Sequence, residues 1–192
     1  MSPRTSHQFQ EIRKGKRSLI MNVALELFAG EGYHSASISK IASRAGISKG
    51  LMYNYFSSKE DLLNSIIQDG LDQLKIMLDP NRDGIITRGE MESFIVLMFD
   101  AMKANKKFWT LYFSLMLQPP VIGLVRSRID EMVKVYIAML TRYFESLGHE
   151  DPGTDAYIFG SLMDGIGFNF IANPDSFPYD RIKKRLIQLY CS

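Results

Sequence analysis

The sequence contains one cysteine among 192 residues, Cys191. A single thiol supports neither an internal disulfide nor a cysteine-based zinc site, which is typical of proteins from a reducing compartment. Uninterrupted apolar runs such as Phe94–Phe99 are far shorter than the roughly 18–20 residues that cross a bilayer. The first residues are polar and basic, without the apolar stretch of a signal peptide. We therefore expect a cytoplasmic protein.

Catalytic signatures are also missing. The three histidines, His7, His34 and His149, lie far apart in the sequence, and no nucleophile motif or phosphate-binding glycine loop is present. We expect a protein that is not an enzyme and needs no cofactor. An enzyme on a helical scaffold is the alternative that this observation leaves open.

Charge is distributed unevenly along the chain. Residues 1–60 contain nine Lys and Arg against four Asp and Glu, whereas the rest contains 14 basic and 17 acidic residues. A basic first third on an acidic body favours a polyanionic partner for that third. An ordinary fluctuation of solvated surface charge explains the same numbers.

Helical periodicity dominates, and no segment alternates as a strand does. Leu19, Val23 and Leu27 recur every four residues beside a second apolar row, which predicts a first helix over about residues 11–30. Similar patterns and their breaks predict further helices over residues 37–44, 48–55, from 57 onward, 89–104, 106–117, 121–147, 153–172 and 179–190. The fold class is therefore all-α.

Two of these helices are short and separated by a tight turn. Ser37 and Ser48 suit their N-caps, and Gly46 permits a left-handed turn conformation between them. This arrangement predicts a helix-turn-helix. Ser57 and Glu60 have the spacing of a capping box and predict the start of the fourth helix.

The second short helix has one apolar and one polar side. Met52 and Phe56 lie four residues apart, and we expect them to seat this helix on the first long helix. The groups expected to face outward are short or hydrogen-bonding, as suits a DNA groove and phosphates: Ser48, Lys49, Gly50, Tyr53, Asn54 and Tyr55.

Residues 11–63, above all the segment IASRAGISKGLMYNYFSSKEDLL, resemble the DNA-binding domain of the tetracycline-repressor (TetR) family. The resemblance implies an N-terminal three-helix helix-turn-helix domain, residues 1–60, followed by a helical effector-binding and dimerisation domain, residues 61–192. It implies a homodimer that binds double-stranded DNA at a palindromic operator as a repressor and is released by a small molecule.

The resemblance also implies roles for individual residues. The helix from Ser48 would enter the major groove, with Lys49 and Asn54 reading base edges. Five further side chains would contact the DNA backbone: Ser37, Ser39, Tyr53, Tyr55 and Lys59. The alternative is that both tyrosines belong to the core while Lys59 and Asn54 simply face solvent.

The segment 94–117 is rich in methionine and aromatic residues, which bury large areas and adapt to irregular shapes. With the family resemblance, this predicts a pocket for a small apolar or aromatic ligand, lined by Met98, Met102, Trp109, Tyr112, Phe113 and Met116. An ordinary helical core explains the same residues.

The last two predicted helices suit a homodimer interface. Small residues in the first of them permit close approach of helices: Gly160, Ser161, Gly165 and Gly167. In the second, Ile182, Leu186 and Leu189 face one way. Packing within one chain is the alternative.

Residues 79–90, DPNRDGIITRGE, fit the calcium-loop pattern D-x-[DN]-x-[DN]-G-x5-E. The corresponding ligands are Asp79, Asn81, Asp83, the Ile85 carbonyl, Thr87 and Glu90. Such loops normally work in pairs, whereas only one exists here, and Arg82 and Arg88 weaken the negative field. A calcium-binding interaction protein is therefore a further alternative, and an ordinary polar connection explains the loop equally.

Overall fold

The computed structural model describes residues 6–191, and this part of the chain forms nine α-helices and no strand. The helices are α1 Ser6–Glu31, α2 Ile38–Arg44, α3 Lys49–Tyr53, α4 Lys59–Leu78, α5 Arg88–Ala104, α6 Lys106–Met116, α7 Pro119–Ser146, α8 Pro152–Ala172 and α9 Tyr179–Tyr190. The predicted all-α class is confirmed. Helix α7 begins at the pair Pro119 and Pro120, two residues before the predicted start at residue 121, because a proline fits the first turn of a helix.

The chain divides into two compact units. The first comprises the described part of Met1–Asp69 together with Leu111–Val125, and the second comprises Gly70–Thr110 with the described part of Arg126–Ser192. The predicted boundary at residue 60 separates a DNA-binding from an effector-binding domain. The division into compact units does not test this functional boundary, which stays a prediction.

In the first unit, α1 buries one of its two predicted apolar rows. Ile20, Ala24 and Phe28 are fully buried, and Leu27 nearly so, whereas Leu19 is 42% exposed. The buried side of α1 is therefore turned away from Leu19. The four-residue repeat alone did not predict this orientation of the helix.

The tight turn between α2 and α3 has the predicted geometry. Gly46 adopts φ +65°, a left-handed conformation that side chains with a Cβ disfavour. The Ile47 amide donates to the Ala42 carbonyl at 3.0 Å. The hydroxyls of Ser37 and Ser48 accept from the backbone amides of Lys40 and Leu51 and cap the two helices as predicted.

The cap of α4 lies one residue later than predicted. The Ser58 hydroxyl accepts from the Asp61 amide at 2.9 Å, and the Asp61 carboxylate accepts from the Ser57 amide at 2.8 Å. Asp61 is therefore the acid of this cap: its amide donates to Ser58, its carboxylate accepts from Ser57, and the predicted pairing of Ser57 with Glu60 is wrong. Two adjacent serines followed by two adjacent acids made both registers possible.

The second unit has its own core, drawn from α4, α5, α7, α8 and α9. Met91, Ile95, Phe99, Phe144 and Phe159 are each at most 1% exposed within it. Among residues 6–191, no single helix is both long and apolar enough to cross a membrane, although α6 and α7 meet that criterion as a pair bent by 95°.

Candidate DNA-binding surface

The outward side of the helix-turn-helix carries the residues that the sequence predicts. Lys49, Gly50 and Asn54 are exposed, and Tyr53 is 48% exposed. Met52 and Phe56 are buried beneath them, at 0% and 1% exposure. The solvent-facing side of α3 therefore consists of these polar groups together with Leu51, which is 38% exposed.

Tyr55 departs from this pattern, because it is half-buried. Helix α3 ends at Tyr53, and Asn54 is its C-cap, so the predicted extent of this helix to residue 55 is too long. The Arg13 guanidinium donates to the Asn54 carbonyl at 3.3 Å and lies 5.7 Å from the centre of the Tyr55 ring. Arg13 therefore fixes the end of α3 against α1.

The exposed cations of the helix-turn-helix are not equivalent. Lys40 is paired with Glu31, and the guanidinium of Arg44 lies 3.6 Å from the Glu26 carboxylate. Among the described residues, the Lys49 ammonium has no hydrogen-bond or ion-pair partner. Lys49, in the first turn of α3, is therefore a cation available to an incoming anion.

Lys59 is held by the protein itself. Its ammonium donates to the carbonyls of Tyr33 and His34 at 2.9 and 3.2 Å and lies 4.6 Å from the centre of the Tyr33 ring. An ammonium has three donors, so one N–H is left for a phosphate. Lys59 thus joins the start of α4 to the segment after α1, in addition to its predicted DNA contact.

Ser37 and Ser39 are both exposed at the start of α2. The Ser37 hydroxyl accepts from the Lys40 amide at 3.2 Å, which leaves its own proton available to an acceptor. The predicted phosphate contact is therefore compatible with its role as a cap.

Gln118 is a structural residue of this unit that the sequence analysis missed. Its side-chain oxygen accepts from the Tyr33 amide at 3.0 Å, and its side-chain nitrogen donates to the Phe28 carbonyl at 2.7 Å. Phe28 lies in the last turn of α1, where carbonyls lack helical partners. Gln118 therefore closes the end of α1 from 90 residues away, a distance at which no local sequence pattern signals the contact.

The predicted effector residues lie in both units. In the second unit, Met98 and Met102 belong to the core, and Trp109 packs against it while its ring nitrogen donates to the Ala101 carbonyl at 3.2 Å. In the first unit, Tyr112 is buried and Phe113 and Met116 are half-buried. The pocket itself stays a prediction.

The loop over residues 79–90 satisfies its own polar groups. The Asp79 carboxylate, on a side chain only 2% exposed, accepts from the amides of Asp83 and Gly84 at 3.2 and 3.1 Å. Gly84 adopts φ +77°, at the predicted sharp turn. The Arg142 guanidinium donates to the Gly84 carbonyl at 2.9 Å, so this loop is tied to α7.

The remaining predicted calcium ligands have other partners. The Glu90 carboxylate accepts from the Thr87 amide at 2.8 Å, and the two residues form a reciprocal capping box at the start of α5. The Asp83 carboxylate accepts from the Ile85 amide at 2.8 Å and from the Asn81 amide group at 3.1 Å. Within residues 6–191, no three acidic, histidine or cysteine side chains converge as a metal site, and calcium binding stays a prediction.

Helix α8 has two apolar sides. One side enters the core through Ala156, Phe159, Met163, Ile166 and Phe170. The other is exposed over the length of the helix and is mostly apolar: it contains Tyr157, Ile158, Leu162 and Phe168, together with Ser161, half-buried Gly165 and the exposed polar residues Asp164 and Asn169.

The outward side of α9 is mostly charged, unlike the mostly apolar outward side of α8. Arg181, Lys184, Arg185 and Gln188 are exposed there, whereas Leu186 is buried. Leu189 is exposed and Ile182 is half-buried, so the apolar surface of α9 is limited to one flank.

Comparison with known proteins finds a sequence family and a regulator that are similar to this chain. A sequence family described as "Bacterial regulatory proteins, tetR family" matches residues 20–66. A fatty acid metabolism regulator protein of Bacillus subtilis (strain 168) is 28% identical over 189 residues, which cover 94% of this chain and 96% of that protein.

Two solved structures share the fold over nearly the whole chain. The fatty acid degradation regulator FadR from Bacillus halodurans gives a TM-score of 0.73 at 22% identity, covering 92% of this chain and 95% of that one. The regulator FadR from Bacillus subtilis in complex with stearoyl-CoA gives a TM-score of 0.67 at 19% identity, covering 91% of this chain and 97% of that one. At these identities, the structural likeness establishes the fold alone.

Proposed function

Because this chain belongs to the TetR family of DNA-binding transcription regulators, which are not enzymes, we propose that it is a homodimeric repressor released from a palindromic operator by a fatty acyl ligand. The observation that supports the DNA-binding part is the solvent-facing side of α3, where Lys49 has no partner among the described residues and Tyr53 and Asn54 are exposed above buried Met52 and Phe56. Base edges are read by side chains that have no competing partner inside the protein.

The homodimer is supported by the exposed side of α8. Tyr157, Ile158, Leu162 and Phe168 are 58%, 51%, 37% and 51% exposed. They form a mostly apolar stripe on the outward side of α8, which exposed Asp164 and Asn169 interrupt. Such a patch on an isolated subunit marks an interaction surface. Ser161 and Gly165 lie within the stripe, where small residues let two helices approach closely. A second copy of α8, related by a two-fold axis, is the partner that this surface fits.

The outward side of α9 contributes less to that interface than the sequence suggested. Two copies of a face that carries Arg181, Lys184 and Arg185 repel each other when they meet directly. We place α8 at the centre of the dimer interface and only the flank of α9 with Leu189 at its margin.

The proposed effector class is supported by what two similar proteins are named for or were solved with. A similar regulator is named for fatty acid metabolism, and a protein of the same fold was solved with stearoyl-CoA. The core of the second unit contains five buried methionines: Met91, Met98, Met102, Met139 and Met163. Methionine side chains are flexible and polarisable and repack readily around an apolar chain. This composition supports an acyl effector.

The experiment that tests this function is selection of binding sites from a randomised DNA duplex pool. We expect the selected sites to share a two-fold symmetric sequence, because one short helix reads too few bases for specificity. Titration of the protein–operator complex with stearoyl-CoA should then release the DNA. Recovery of no shared sequence contradicts the DNA-binding role, and a complex that is stable to stearoyl-CoA and to stearate contradicts the effector class.

A further inference from the structure

Tyr179, the first residue of α9, carries an unusual hydroxyl. Among the residues that the structure describes, this is the one buried side-chain nitrogen or oxygen atom without a hydrogen-bond partner. Other tyrosines of the same unit are satisfied: the Tyr136 hydroxyl donates to the Leu71 carbonyl at 2.7 Å, and the Tyr143 hydroxyl donates to the Tyr190 carbonyl. A buried polar group without a partner destabilises the folded chain and requires an explanation.

The surroundings of Tyr179 are aromatic. The centre of its ring lies 4.8 Å from that of Phe99, 4.9 Å from that of Phe170 and 6.4 Å from that of Phe177. Phe99 and Phe170 belong to the buried core of the second unit, against which Tyr179 packs. The hydroxyl is therefore a lone hydrogen-bonding group at the edge of an apolar core.

Two ammonium groups lie near the same ring. The nitrogen atoms of Lys103 and Lys183 are 5.8 and 6.0 Å from the ring centre. The Asp100 carboxylate lies 3.4 Å from the Lys183 ammonium, so Lys103 contributes the less compensated charge. The ring is therefore flanked by charges of both signs, because the Asp100 and Asp180 carboxylates also act on the Tyr179 hydroxyl.

The hydroxyl is a donor at neutral pH. Burial raises the pKa of Tyr179 above its ordinary value, and the carboxylates of Asp100 and Asp180 raise it further. An acceptor oxygen of a ligand that lies in these apolar surroundings would therefore satisfy the O–H of this group. The methionines of the same core, including Met98 and Met102, permit the side chains to move apart for an apolar chain.

We propose that the Tyr179 hydroxyl donates a hydrogen bond to the acyl oxygen of the effector, in a binding region formed by the neighbouring side chains of Phe99, Phe170, Met98 and Met102. This inference rests on the proposed function, in which the effector is an acyl compound. The shared chemistry is an oxygen at the end of a long apolar chain, either the carboxylate of a free fatty acid or the thioester carbonyl of an acyl-CoA.

The test compares the wild-type protein with Tyr179→Phe and, as a matched control, Tyr136→Phe. Each is bound to the selected operator and titrated separately with stearate and with stearoyl-CoA. The concentration that releases half of the DNA is measured by fluorescence anisotropy. Thermal unfolding without effector is measured on the same three proteins.

We expect Tyr179→Phe to need about tenfold more of the active effector, because it lacks one hydrogen bond to an otherwise unsatisfied oxygen. Without effector, its thermal midpoint should rise by about 2–4 °C, because the uncompensated hydroxyl is gone. Tyr136→Phe should lose thermal stability and keep the wild-type effector response. The ligand to which the wild type responds identifies the source of the acyl oxygen.

Two results would overturn the inference while leaving the proposed function in place. One is an equal effector response of the wild type and Tyr179→Phe. The other is a lower thermal midpoint for Tyr179→Phe, which would mean that its hydroxyl has a stabilising partner within the protein. Failure of the wild type to respond to either acyl compound would instead contradict the proposed effector class, and this inference with it.

Discussion

At the scale of single residues, lysines that look alike in the sequence differ in their partners within the protein. Lys40, Lys49 and Lys59 are all basic residues in or beside the helix-turn-helix, yet their environments differ. Lys40 is neutralised by Glu31, Lys59 is held by two backbone carbonyls, and Lys49 has no partner among the described residues. The sequence predicted DNA contacts for Lys49 and Lys59, but the pairing of Lys40 and Lys59 depends on contacts between residues 9 and 26 positions apart.

Replacement of Lys49 tests its assignment as a base reader. We expect Lys49→Ala to relax the preference at one base pair in each half-site, since a good side-chain contact to a base edge contributes about 1–3 kcal/mol of discrimination. Binding-site selection with the variant measures this directly. Lys40→Ala is the matched control and should retain the wild-type preference at every position. An unchanged selected sequence for Lys49→Ala would remove it from the base readers.

Replacement of Lys59 is expected to have two effects. Loss of a phosphate contact should weaken binding to all operators alike and lower the salt dependence by about one unit per half-site. Loss of the bonds to the Tyr33 and His34 carbonyls should lower the free energy of unfolding by about 1–2 kcal/mol. Salt titration and urea unfolding of Lys59→Ala measure the two effects separately. An unchanged salt dependence excludes the phosphate role, and unchanged stability excludes the structural role.

At the scale of elements, the sequence predicted the helices well because their capping and packing are local. The serine caps of α2 and α3 and the left-handed turn at Gly46 are visible within four residues of sequence. The boundaries were less certain where two registers compete, as at Ser57 and Ser58. At Thr87 and Glu90 a capping box and a calcium loop use the same side chains, so the pattern alone did not distinguish a helix start from a metal site.

The loop before α5 allows these two roles to be separated. A glutamine at position 90 retains the side-chain oxygen that a capping box needs but lacks the bidentate carboxylate of a calcium loop. We expect any calcium binding to be weaker than about 10⁻⁴ M, because the loop has no partner loop to stiffen it, and to be lost in Glu90→Gln. Calorimetry with calcium on both proteins is the measurement. A heat that survives the substitution, or no heat at millimolar calcium, contradicts the calcium hypothesis.

The exposed side of α8 gives a prediction for assembly. We expect Phe168→Glu to yield a monomer, because it places a second negative charge one turn from exposed Asp164 on the proposed interface, where the two copies would repel each other. The side chain is 51% exposed in the single chain, so the fold should be retained. Leu97→Glu on α5, at a side chain 47% exposed, is the matched control and should remain dimeric. Light scattering at micromolar concentration measures the oligomeric state of both variants. A dimeric Phe168→Glu would contradict the placement of α8 at the centre of the dimer interface.

At the scale of the whole molecule, the chain does not divide into units in simple sequence order. Residues 111–125 belong with the helix-turn-helix, and Gln118 from this segment closes the end of α1. The family resemblance implied a head and a body in succession along the chain. It could not predict the return of a later segment to the first unit, because that depends on two hydrogen bonds across 85 and 90 residues.

The central claim is that two copies of this chain bind one symmetric operator and leave it when an acyl ligand binds. Native mass spectrometry of the protein with the selected duplex, before and after addition of stearoyl-CoA, tests this claim most directly. We predict a complex of two chains and one duplex, which dissociates into free duplex and a ligand-bound dimer. One chain per duplex, or a complex that keeps its DNA after the acyl ligand has bound, would contradict the account.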